Sequence, residues 1–548
     1  MTLILMMLAA IGAVTIAERS LKHLLILIAA FAITVAILLL IVGDIERAIL
    51  LSAILAAAII GASTVKYNHS GFKLIAADLP LVFAGTVPFL LVQYPRVAKS
   101  FLAGSIGLLG AATVTLLYGA GSPISLEYRV LLLSLALVGF SLAYKISGGS
   151  ASFRKIAAEP HCFFSSFTAS VADTLSWQQF GKLALSDIAI EPLPLVAATP
   201  ARTSDYPDII IIQHESIFDP RIFGLPVEPI VEEFFSPINS VYGNLNVDIF
   251  GGGSWQSEFS LLTGLSSASF GSNAYFLFKK GAGRFHHSLP RALATLGYST
   301  MLIASCRRNF LNYDEFYSSI GIGERIFTDD FPPPFDVREY ETTNSDAVFL
   351  EAALAAFKDG VSGNSAPRFL YALTNFNHGP HARRLVPLGQ FERERAFAAA
   401  SLPDDQYAEY YARLAETATS WHRLRSELLI RLPKRPLLIV HYGDHQPVMT
   451  RLLEQKLNLT KNPQRQFRTF YVIESLNTCT DRPFSGRGAD LDIAFLGTIA
   501  LQQAGLPLDQ IFATRASLLD DCGASYFASP SERKRRFHRT LMDIGMIG

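Results

Sequence analysis

Five polar residues of the sequence could do chemistry together, because each lies just after an apolar run or a glycine turn. Glu215 follows "DIIIIQH", Ser254 closes the run "GGGS", His378 lies in "NFNHGPH", and Asp444 and His445 stand together in "HYGDHQP". An adjacent aspartate and histidine offer a carboxylate oxygen and an imidazole nitrogen, which suit Mn²⁺, Mg²⁺ or Zn²⁺. The pattern therefore indicates a metal-assisted site with a hydroxyl beside it.

Ser254 has two interpretations at this spacing. The three glycines before it, 251–253, let the backbone approach a ligand without obstruction by side chains. The helical pattern "WQSEFSLLTGL" that follows predicts Ser254 as the N-cap, and a capping serine stabilises a helix by about 1 kcal/mol. A hydroxyl at the positive end of a helix, beside a phosphate or a cation, is also a candidate nucleophile. The spacing alone leaves both interpretations open.

The other candidates have structural alternatives as well. Glu215 is either a metal ligand or the N-cap of the segment after it. Asp444 and His445 could form a surface turn, but a buried strand that leads straight into Gly-Asp-His favours a ligand pair, since the glycine lets the chain leave the strand. Of the two histidines after "RFLYALT", His378 is favoured over His381 for contact with a substrate.

The elements that must position these residues are predicted as buried strands that alternate with helices. The strands are "DIIIIQ", "YSTMLIAS", "RFLYALT" and "PLLIVHYG", and the helices include "SLPRALATLG", "DAVFLEAALAAF" and "AEYYARLAETATSWHRLRSELLIRL". Continuous apolar strands separated by helices favour a mostly parallel sheet covered on both faces. Because ligands bind beyond the carboxyl ends of such strands, the candidate residues are expected at one edge of this sheet.

The N-terminal part has the composition of a membrane domain. The chain has 548 residues, of which 50% are hydrophobic and only 17% charged, and the excess of apolar residues lies near the N-terminus. Six apolar segments can be recognised there: 2–17, 23–43, 47–64, 79–93, 101–120 and 128–145. A membrane span needs about 20 apolar residues. The fourth segment is short and contains two prolines, so we predict five or six spans, the first of which is not a cleaved signal peptide.

These patterns divide the chain into a transmembrane domain (1–145), a connector (146–205) and an α/β domain (206–548). The net charge is zero, from 47 basic and 47 acidic residues, and gives no reason to expect a nucleic-acid partner. No cysteine lies in a zinc-binding spacing. Cys479 and Cys522 could form a disulfide or remain thiols, and the basic run 532–539 could be a solvated helix face or a contact with anionic lipid.

Taken in order, the strand-end glutamate, the glycine turn with "SEF", the "NHGP" loop and "GDH" resemble a known family. They are similar to the lipoteichoic acid synthase and phosphoglycerol transferase branch of the alkaline phosphatase/sulfatase superfamily. The resemblance covers roughly residues 205–500 and extends loosely to "KYNHSGFKLIAADLP" in the membrane part. It implies an α/β sulfatase-like domain with a central, mostly parallel sheet behind a multi-span α-helical membrane domain.

The resemblance also implies roles for individual residues. Glu215, Ser254, Asp444 and His445 would bind one divalent cation, Mn²⁺ or Mg²⁺ in preference to Zn²⁺, with Ser254 as the nucleophile where the best-known members have threonine. His378 matches a histidine that contacts the phosphate or glycerol of the substrate.

This sequence departs from the family at a substrate-binding arginine. Where the family motif reads "NRD", this chain reads "NYD", so Tyr313 occupies the place of the arginine. Arg307 and Arg308 stand nearby, and Arg308 is the predicted substitute. Recognition of the headgroup is therefore expected to differ from that of the family.

The resemblance implies a transferase that moves phosphoglycerol from phosphatidylglycerol to a periplasmic or envelope glycan through a covalent intermediate on serine. The protein would be a multi-pass protein of the inner membrane with its catalytic domain on the outer, periplasmic face. The alternatives are a phosphoethanolamine transferase acting on lipid A or a glycan, and an inactive sensor that binds headgroups. A strict sulfatase is disfavoured, because no cysteine lies in a CxPxR-type context.

Overall fold

The structure of the protein, a computed structural model, describes most of the chain. The described residues are 2–19, 21, 23–70, 72–79, 95–118, 123–147, 156, 159, 161–176, 190–200, 206–308, 310–331, 344–359, 366–477 and 486–548. The chain divides into two compact units. One unit comprises residues 1–180 with 271–273, and the other comprises residues 181–270 with 274–548.

The described part of the first unit contains six α-helices, five of which are formed by long apolar runs. They are α1 (Thr2–Glu18), α2 (Leu24–Val42), α3 (Ile45–Ser70), α4 (Pro95–Tyr118), α5 (Leu126–Ile146) and α6 (Phe163–Ser176). Among the described residues, four helices are long and apolar enough to cross a membrane, namely α2, α3, α4 and α5. The apolar helix α1 is shorter than these four.

Five of the six predicted apolar segments lie on helices, and the sixth, predicted at 79–93, falls almost entirely on residues that the structure does not describe. Residues 80–94 lie outside the described residues, so the prediction of five or six spans stays a prediction. The helix α6 lies within the predicted connector, 146–205, and belongs to the first unit. Polar contacts support this packing, since the buried Glu18 carboxylate accepts hydrogen bonds from the N–H and hydroxyl of Ser165 at 2.7 and 2.6 Å.

The second unit is built around one mixed sheet of nine strands. They are β1 (Asp208–His214), β2 (Ser240–Asn246), β3 (Ser299–Ala304), β4 (Glu324–Phe327), β5 (Arg368–Leu373), β6 (Leu437–Gly443), β7 (Arg468–Leu476), β8 (Gly486–Arg487) and β9 (Leu491–Asp492). The strand order is β4-β3-β5-β1-β6-β7-β2-β8, and β9 also pairs with β2. Strands β4, β3, β5, β1 and β6 are parallel, whereas β7 is antiparallel to both of its neighbours.

The four predicted strands are confirmed as β1, β3, β5 and β6. Every residue of β1, β5 and β6 is buried, as expected for inner strands covered on both faces. The structure adds strands that sequence analysis did not predict, including the antiparallel β7 and its neighbour β2. The sequence of β2, "SVYGNLN", lacks both an apolar run and a clear alternation, so it carried no strand signal.

Helices precede or follow most of these strands along the chain. They are α7 (Pro229–Phe235), α8 (Ser254–Thr263), α9 (Leu277–Lys280), α10 (Leu289–Thr295), α11 (Tyr313–Ser319), α12 (Asp346–Asp359), α13 (Glu392–Ser401), α14 (Asp405–Arg431), α15 (Leu453–Lys456), α16 (Ile493–Gln503), α17 (Gln510–Cys522) and α18 (Glu532–Asp543). The predicted helices are confirmed as α10, α12 and α14. Buried aromatic side chains of α14, among them Tyr410 and Trp421, join the core beside the sheet.

The basic run of the tail lies on α18, and several of its arginines have partners within the second unit. Arg533 pairs with Asp521 at 2.7 Å, and Arg536 donates to the Glu191 carbonyl at 3.2 Å. These contacts hold part of the run against its own domain, and the choice between a solvated helix face and a contact with anionic lipid stays open. The predicted disulfide cannot be placed, because Cys479 lies outside the described residues.

Candidate active site

The strand pairing brings the predicted site residues to one edge of the sheet. Strand β1 lies between β5 and β6, all three run in the same direction, and His214 at the end of β1 is in register with Gly443 at the end of β6. The residues that follow these strands therefore meet beyond their carboxyl ends, as the sequence predicts.

Glu215 is the first residue after β1, and a sharp turn sets its direction. Ser216 has a positive φ of 56°, so the chain bends away directly after the glutamate. The Glu215 N–H donates to Thr374 Oγ1 at 3.3 Å, and Glu215 Oε1 accepts from the Ser216 hydroxyl at 2.7 Å. The side chain is thus buried and held in one orientation.

Ser254 follows three glycines whose φ values of 80°, 153° and 89° are conformations that favour glycine. The helix α8 begins at Ser254, and Gly253 occupies the cap position. The predicted N-cap assignment for Ser254 is therefore wrong by one residue: the cap is Gly253, whose left-handed backbone favours glycine. Freed from capping, the Ser254 hydroxyl donates to Glu215 Oε2 at 2.9 Å and lies 3.4 Å from His445 Nε2.

Asp444 and His445 follow β6, and backbone donors fix the aspartate. Asp444 Oδ1 accepts from the N–H groups of Ser216 and His445, each at 2.7 Å. The second carboxylate oxygen, Oδ2, lies 3.4 Å from His445 Nε2. His445 Nδ1 lies 3.1 Å from the Gln446 carbonyl oxygen, which can only accept. The ring proton is therefore assigned to Nδ1, which leaves the Nε2 lone pair directed at the cluster.

The donor set fits a divalent cation. Ligand atoms of Glu215, Asp444 and His445 all lie within 4.8 Å of one another, and all three residues are buried. Asp444 Oδ2 is buried without a hydrogen-bond donor among the described residues. Buried polar atoms normally have partners, so a cation between these groups would supply the missing one. Two carboxylates, one imidazole and one hydroxyl suit Mn²⁺, Mg²⁺ or Zn²⁺.

The two carboxylates of this cluster differ in electrostatics. Burial raises the pKa of Asp444 well above its usual range, and the neighbouring charge of Glu215 raises it further. Burial would also raise the pKa of Glu215, but His445, His378 and the hydroxyls of Ser216 and Ser254 outweigh it and lower that pKa. Without a cation, the cluster therefore carries one ionised carboxylate rather than two.

The two histidines of the "NHGPH" loop have different surroundings. His378 is exposed, its Nδ1 lies 2.8 Å from the Gly379 carbonyl oxygen, and its charge is felt by Glu215 and His445. His381 is buried, its Nε2 lies 3.0 Å from the Asn377 carbonyl oxygen, and burial holds its pKa well below the usual range. This contrast agrees with the preference for His378 as the residue that contacts a substrate.

The two remaining predicted residues bind other partners. Tyr313 is buried and donates its hydroxyl proton to Glu258 at 3.0 Å. Arg308 pairs with Asp314 at 3.0 Å and Asp330 at 2.6 Å. Neither side chain is brought into contact with the four predicted ligands by the described hydrogen bonds. A substrate contact by Tyr313 or Arg308 stays a prediction.

Glu258 is a site-supporting residue that the sequence analysis did not single out. Its carboxylate accepts hydrogen bonds from Gln213 at 3.1 Å, from Tyr313 and from Tyr317. Burial raises the pKa of Glu258 to about 7 although these hydrogen bonds oppose the rise. Glu258 lies four residues after Ser254 on α8, and this i, i+4 spacing, which places both on one helix face, was the available signal.

The domain that holds this cluster is similar to known proteins. Residues 207–478 match the sulfatase family. An uncharacterised protein of Haemophilus influenzae is 23% identical over 312 residues, which make up 56% of this chain and 55% of that protein. The chain thus spans about half the length of the curated relative it matches.

Two solved structures are also similar. The integral membrane protein lipooligosaccharide phosphoethanolamine transferase A (EptA) from Neisseria meningitidis is 12% identical with a TM-score of 0.51, over 97% of this chain and 98% of that chain. The Streptococcus pyogenes phosphoglycerol transferase GacH, in complex with sn-glycerol-1-phosphate, is 18% identical with a TM-score of 0.48, over 63% of this chain and 87% of that chain. The first likeness shows that apolar helices and the α/β domain occur together in a known fold.

Proposed function

The chain carries a domain of the sulfatase/alkaline phosphatase superfamily at residues 207–478, and we propose that this domain is a metal-dependent headgroup transferase. In this proposal it moves phosphoglycerol from phosphatidylglycerol to a glycan of the cell envelope. The covalent intermediate is a phosphoglyceryl ester of Ser254. The protein is proposed to lie in the inner membrane with this domain on the periplasmic face.

The observation that supports the proposal is that the Ser254 hydroxyl lies beside side chains that can bind a divalent cation. Ser254 Oγ lies 2.9 Å from Glu215 Oε2 and 3.4 Å from His445 Nε2 at the first residue of a helix. A divalent cation held by Glu215, Asp444 and His445 would favour the ionised hydroxyl and neutralise charge on the phosphate oxygens. The positive end of the dipole of α8 would add to the stabilisation of an anion.

The residues of the chain then have separate tasks in two displacements. In the first, Ser254 Oγ forms a bond to phosphorus, and the bond from phosphorus to the diacylglycerol oxygen breaks. The serine hydroxyl loses its proton, and the diacylglycerol oxygen gains one. In the second, a hydroxyl of the acceptor forms the new bond to phosphorus and Ser254 Oγ leaves with a proton. His378, exposed beside the cluster, is proposed to hold the headgroup phosphate during both steps.

The apolar helices support the choice of a lipid donor. Four described helices are long enough to cross a bilayer, and a donor lipid need not leave the membrane if the transferase is anchored beside it. The phosphoglycerol headgroup is proposed from the resemblance of the "SEF", "NHGP" and "GDH" stretches to phosphoglycerol transferases.

Phosphoethanolamine transfer is the second candidate, and one observation favours it. The fold shared with EptA extends over 97% of this chain and includes the helices as well as the α/β domain. In addition, Tyr313 replaces the arginine of the resembled motif and donates to Glu258, so the headgroup is recognised without that arginine.

The donor is tested with the full-length protein in liposomes that contain either phosphatidylglycerol or phosphatidylethanolamine, with Mn²⁺ present. We expect diacylglycerol release from phosphatidylglycerol. Release from phosphatidylethanolamine alone would establish the second candidate, and release from neither lipid would support a headgroup-binding sensor.

The nucleophile is tested in the same assay with three serine variants. Ser254→Ala should abolish release, whereas Ser254→Thr, which keeps the hydroxyl, should retain it. Ser260→Ala is the matched control, because Ser260 lies on the same helix but its hydroxyl donates to the Gln256 carbonyl. Full activity of Ser254→Ala would exclude this serine as the nucleophile.

A further inference from the structure

A cleft with a mixed apolar and polar lining opens in the second unit beside the loop that carries His378. It lies between the start of α12, the middle of α14 and the segment Phe376–Phe391, and its volume is about 550 Å³. Ligand sites in proteins typically have volumes of about 300–1,000 Å³. The cleft is therefore large enough for a small organic ligand and larger than a single ion requires.

Glu416 on α14 lines this cleft with a carboxylate oxygen that has no donor. The residue is 8% exposed, and its Oε1 accepts from the Ala347 N–H at 3.1 Å and the Ser420 hydroxyl at 3.2 Å. Its Oε2 is buried and accepts no hydrogen bond of standard geometry from the residues that the structure describes, although the Ser345 hydroxyl lies near the carboxylate. Because an unpaired buried acceptor is costly, the arrangement fits a ligand that donates a hydrogen bond from the cleft.

A second buried carboxylate, that of Asp346, lies close enough to Glu416 to interact with it electrostatically. Asp346, fully buried at the start of α12, accepts from the Thr417 hydroxyl at 2.6 Å. Thr417 Oγ1 in turn accepts from the Asn377 side-chain amide at 2.8 Å. Since Asn377 directly precedes His378, the floor of the cleft and the loop of the proposed active site form one hydrogen-bonded structure.

Thr374 connects this floor to the candidate metal site. Its Oγ1 accepts from the Glu215 N–H at 3.3 Å, and its hydroxyl lies close enough to Asp346 to oppose the rise that burial causes in the pKa of that carboxyl. One side chain therefore separates a predicted metal ligand from the carboxylate pair under the cleft. A molecule in the cleft would therefore contact a wall that is joined to the loop of His378 through Thr417 and Asn377.

The walls of the cleft combine apolar surfaces with hydroxyl, amide and guanidinium groups. Phe376 and Phe391 supply flat apolar surface, while Gln390, Thr419 and Arg423 supply polar groups at the rim. Sugar rings present apolar C–H faces and many hydroxyls, so this lining matches them better than it matches a lipid chain or a lone cation. A Ca²⁺ ion matches the lining less well than a sugar, because it requires about six to eight oxygen ligands.

We propose that this cleft binds the acceptor of the transfer reaction as a short oligosaccharide, with a sugar hydroxyl donating to Glu416 Oε2. The proposal rests on the proposed function for the identity of the reaction, but not for the binding itself. A hydroxyl of the bound sugar that reaches the phosphoglyceryl ester forms the new oxygen–phosphorus bond. The bond from phosphorus to Ser254 Oγ breaks, and the proton of the sugar hydroxyl passes to Ser254 Oγ.

Binding is tested by calorimetry on the full-length protein in detergent micelles. The probes are cellotetraose, laminaritetraose, maltotetraose and chitotetraose, each titrated separately. We expect at least one of them to bind, and we expect both Thr419→Trp and Glu416→Gln to weaken that binding at least tenfold. Thr419 is exposed on α14, so tryptophan there fills the cleft without disturbing the core.

The matched control is Ser426→Trp, an exposed position on the same helix two turns further along and outside the cleft. It should leave the affinity unchanged. The cleft assignment is overturned if no tetrasaccharide binds, if Thr419→Trp binds as tightly as the wild type, or if a Ca²⁺ titration shows that Glu416 is needed for a cation instead.

Activity separates this inference from the proposed function. In phosphatidylglycerol liposomes, Thr419→Trp should lower the ratio of transfer to the bound tetrasaccharide over transfer to water at least tenfold relative to Ser426→Trp. An unchanged ratio would contradict the cleft while leaving the transferase intact. Tetrasaccharide binding without any diacylglycerol release would contradict the proposed function while leaving the cleft intact.

Discussion

The second unit contains two buried pairs of carboxylates, Glu215 with Asp444 and Asp346 with Glu416, and their surroundings differ. Glu215 and Asp444 face an imidazole lone pair and a serine hydroxyl. Asp346 and Glu416 face hydroxyl and amide donors at the floor of a cleft. The comparison shows that paired acidic residues do not define a metal site by themselves. The nitrogen donor and the free hydroxyl make the first pair suited to a cation, and the open cleft makes the second suited to a ligand that donates hydrogen bonds.

The largest expected difference between the pairs is in cleavage of the donor lipid. Asp444→Asn removes a charged ligand of the proposed cation and should lower diacylglycerol release about 10²–10³-fold or more, because stabilisation of charge on the phosphate is lost. The control is Glu427→Gln, which removes a partly exposed carboxylate that pairs with Arg431 on α14 and should not change the rate. A near wild-type rate for Asp444→Asn would remove the distinction between the two pairs.

Metal removal should affect only the first pair. Chelation with EDTA should lower the melting temperature of the wild type, and excess Mn²⁺ should restore it, since a ligand at 100 times its Kd stabilises by about 2.7 kcal/mol. The shift should persist in Asp346→Asn and vanish in Asp444→Asn. If Asp346→Asn instead abolished the shift, the cation would have to be assigned to the second pair.

The raised pKa of Asp346 in the second pair should be visible in the pH dependence of the free energy of unfolding. Burial, followed by the charge of Glu416, raises the pKa of Asp346 from 3.8 to about 8. The folded state therefore binds more protons than the unfolded state between these values, and the contribution of this residue to stability falls as the pH rises through that window. Denaturant unfolding of the wild type and Asp346→Asn between pH 4 and about 8 should show the variant gaining relative stability at the higher pH.

A relative gain at the lower pH would contradict the sign of this effect. Because Asp346 and Glu416 lie close enough to titrate together, the measurement reports on the pair. Glu416→Gln should reproduce the direction, since it removes the same repulsion from the other side.

The smallest expected effect concerns Tyr313, one of three donors to Glu258 beneath the first pair. Tyr313→Phe removes one hydrogen bond and should destabilise the protein by about 0.5–1.5 kcal/mol in denaturant unfolding. Tyr242→Phe, at a partly exposed position of β2, is the control. A rise in the KM for the donor lipid without loss of stability would instead support the predicted contact between Tyr313 and the substrate.

Much of this arrangement could be predicted from the sequence where the signal is local. The apolar runs of β1, β5 and β6 are continuous because these strands are buried on both faces. The predicted ligands follow two of these runs directly, so the rule for strand ends was enough to bring Glu215 and Asp444 together.

Other features depend on contacts between distant parts of the chain and leave no local signal. The hydrogen bond between Asp346 and Thr417 joins residues that are 71 positions apart, and neither residue is unusual in its own segment. The position of Ser254 relative to its helix depends on the positive φ values of the three preceding glycines, which residue spacing alone does not give. The antiparallel β7 likewise follows from its pairing with β2 and β6.

The most direct test of the central claim is to trap the covalent intermediate on Ser254. The full-length protein is incubated with Mn²⁺ and phosphatidylglycerol that carries a radiolabel in its headgroup glycerol, without an acceptor, and its peptides are then analysed by mass spectrometry. We predict a labelled phosphoglyceryl ester on the peptide that contains Ser254, absent from Ser254→Ala and present in Ser254→Thr. Diacylglycerol release with the label on another residue, or with no label on the protein at all, would contradict the account.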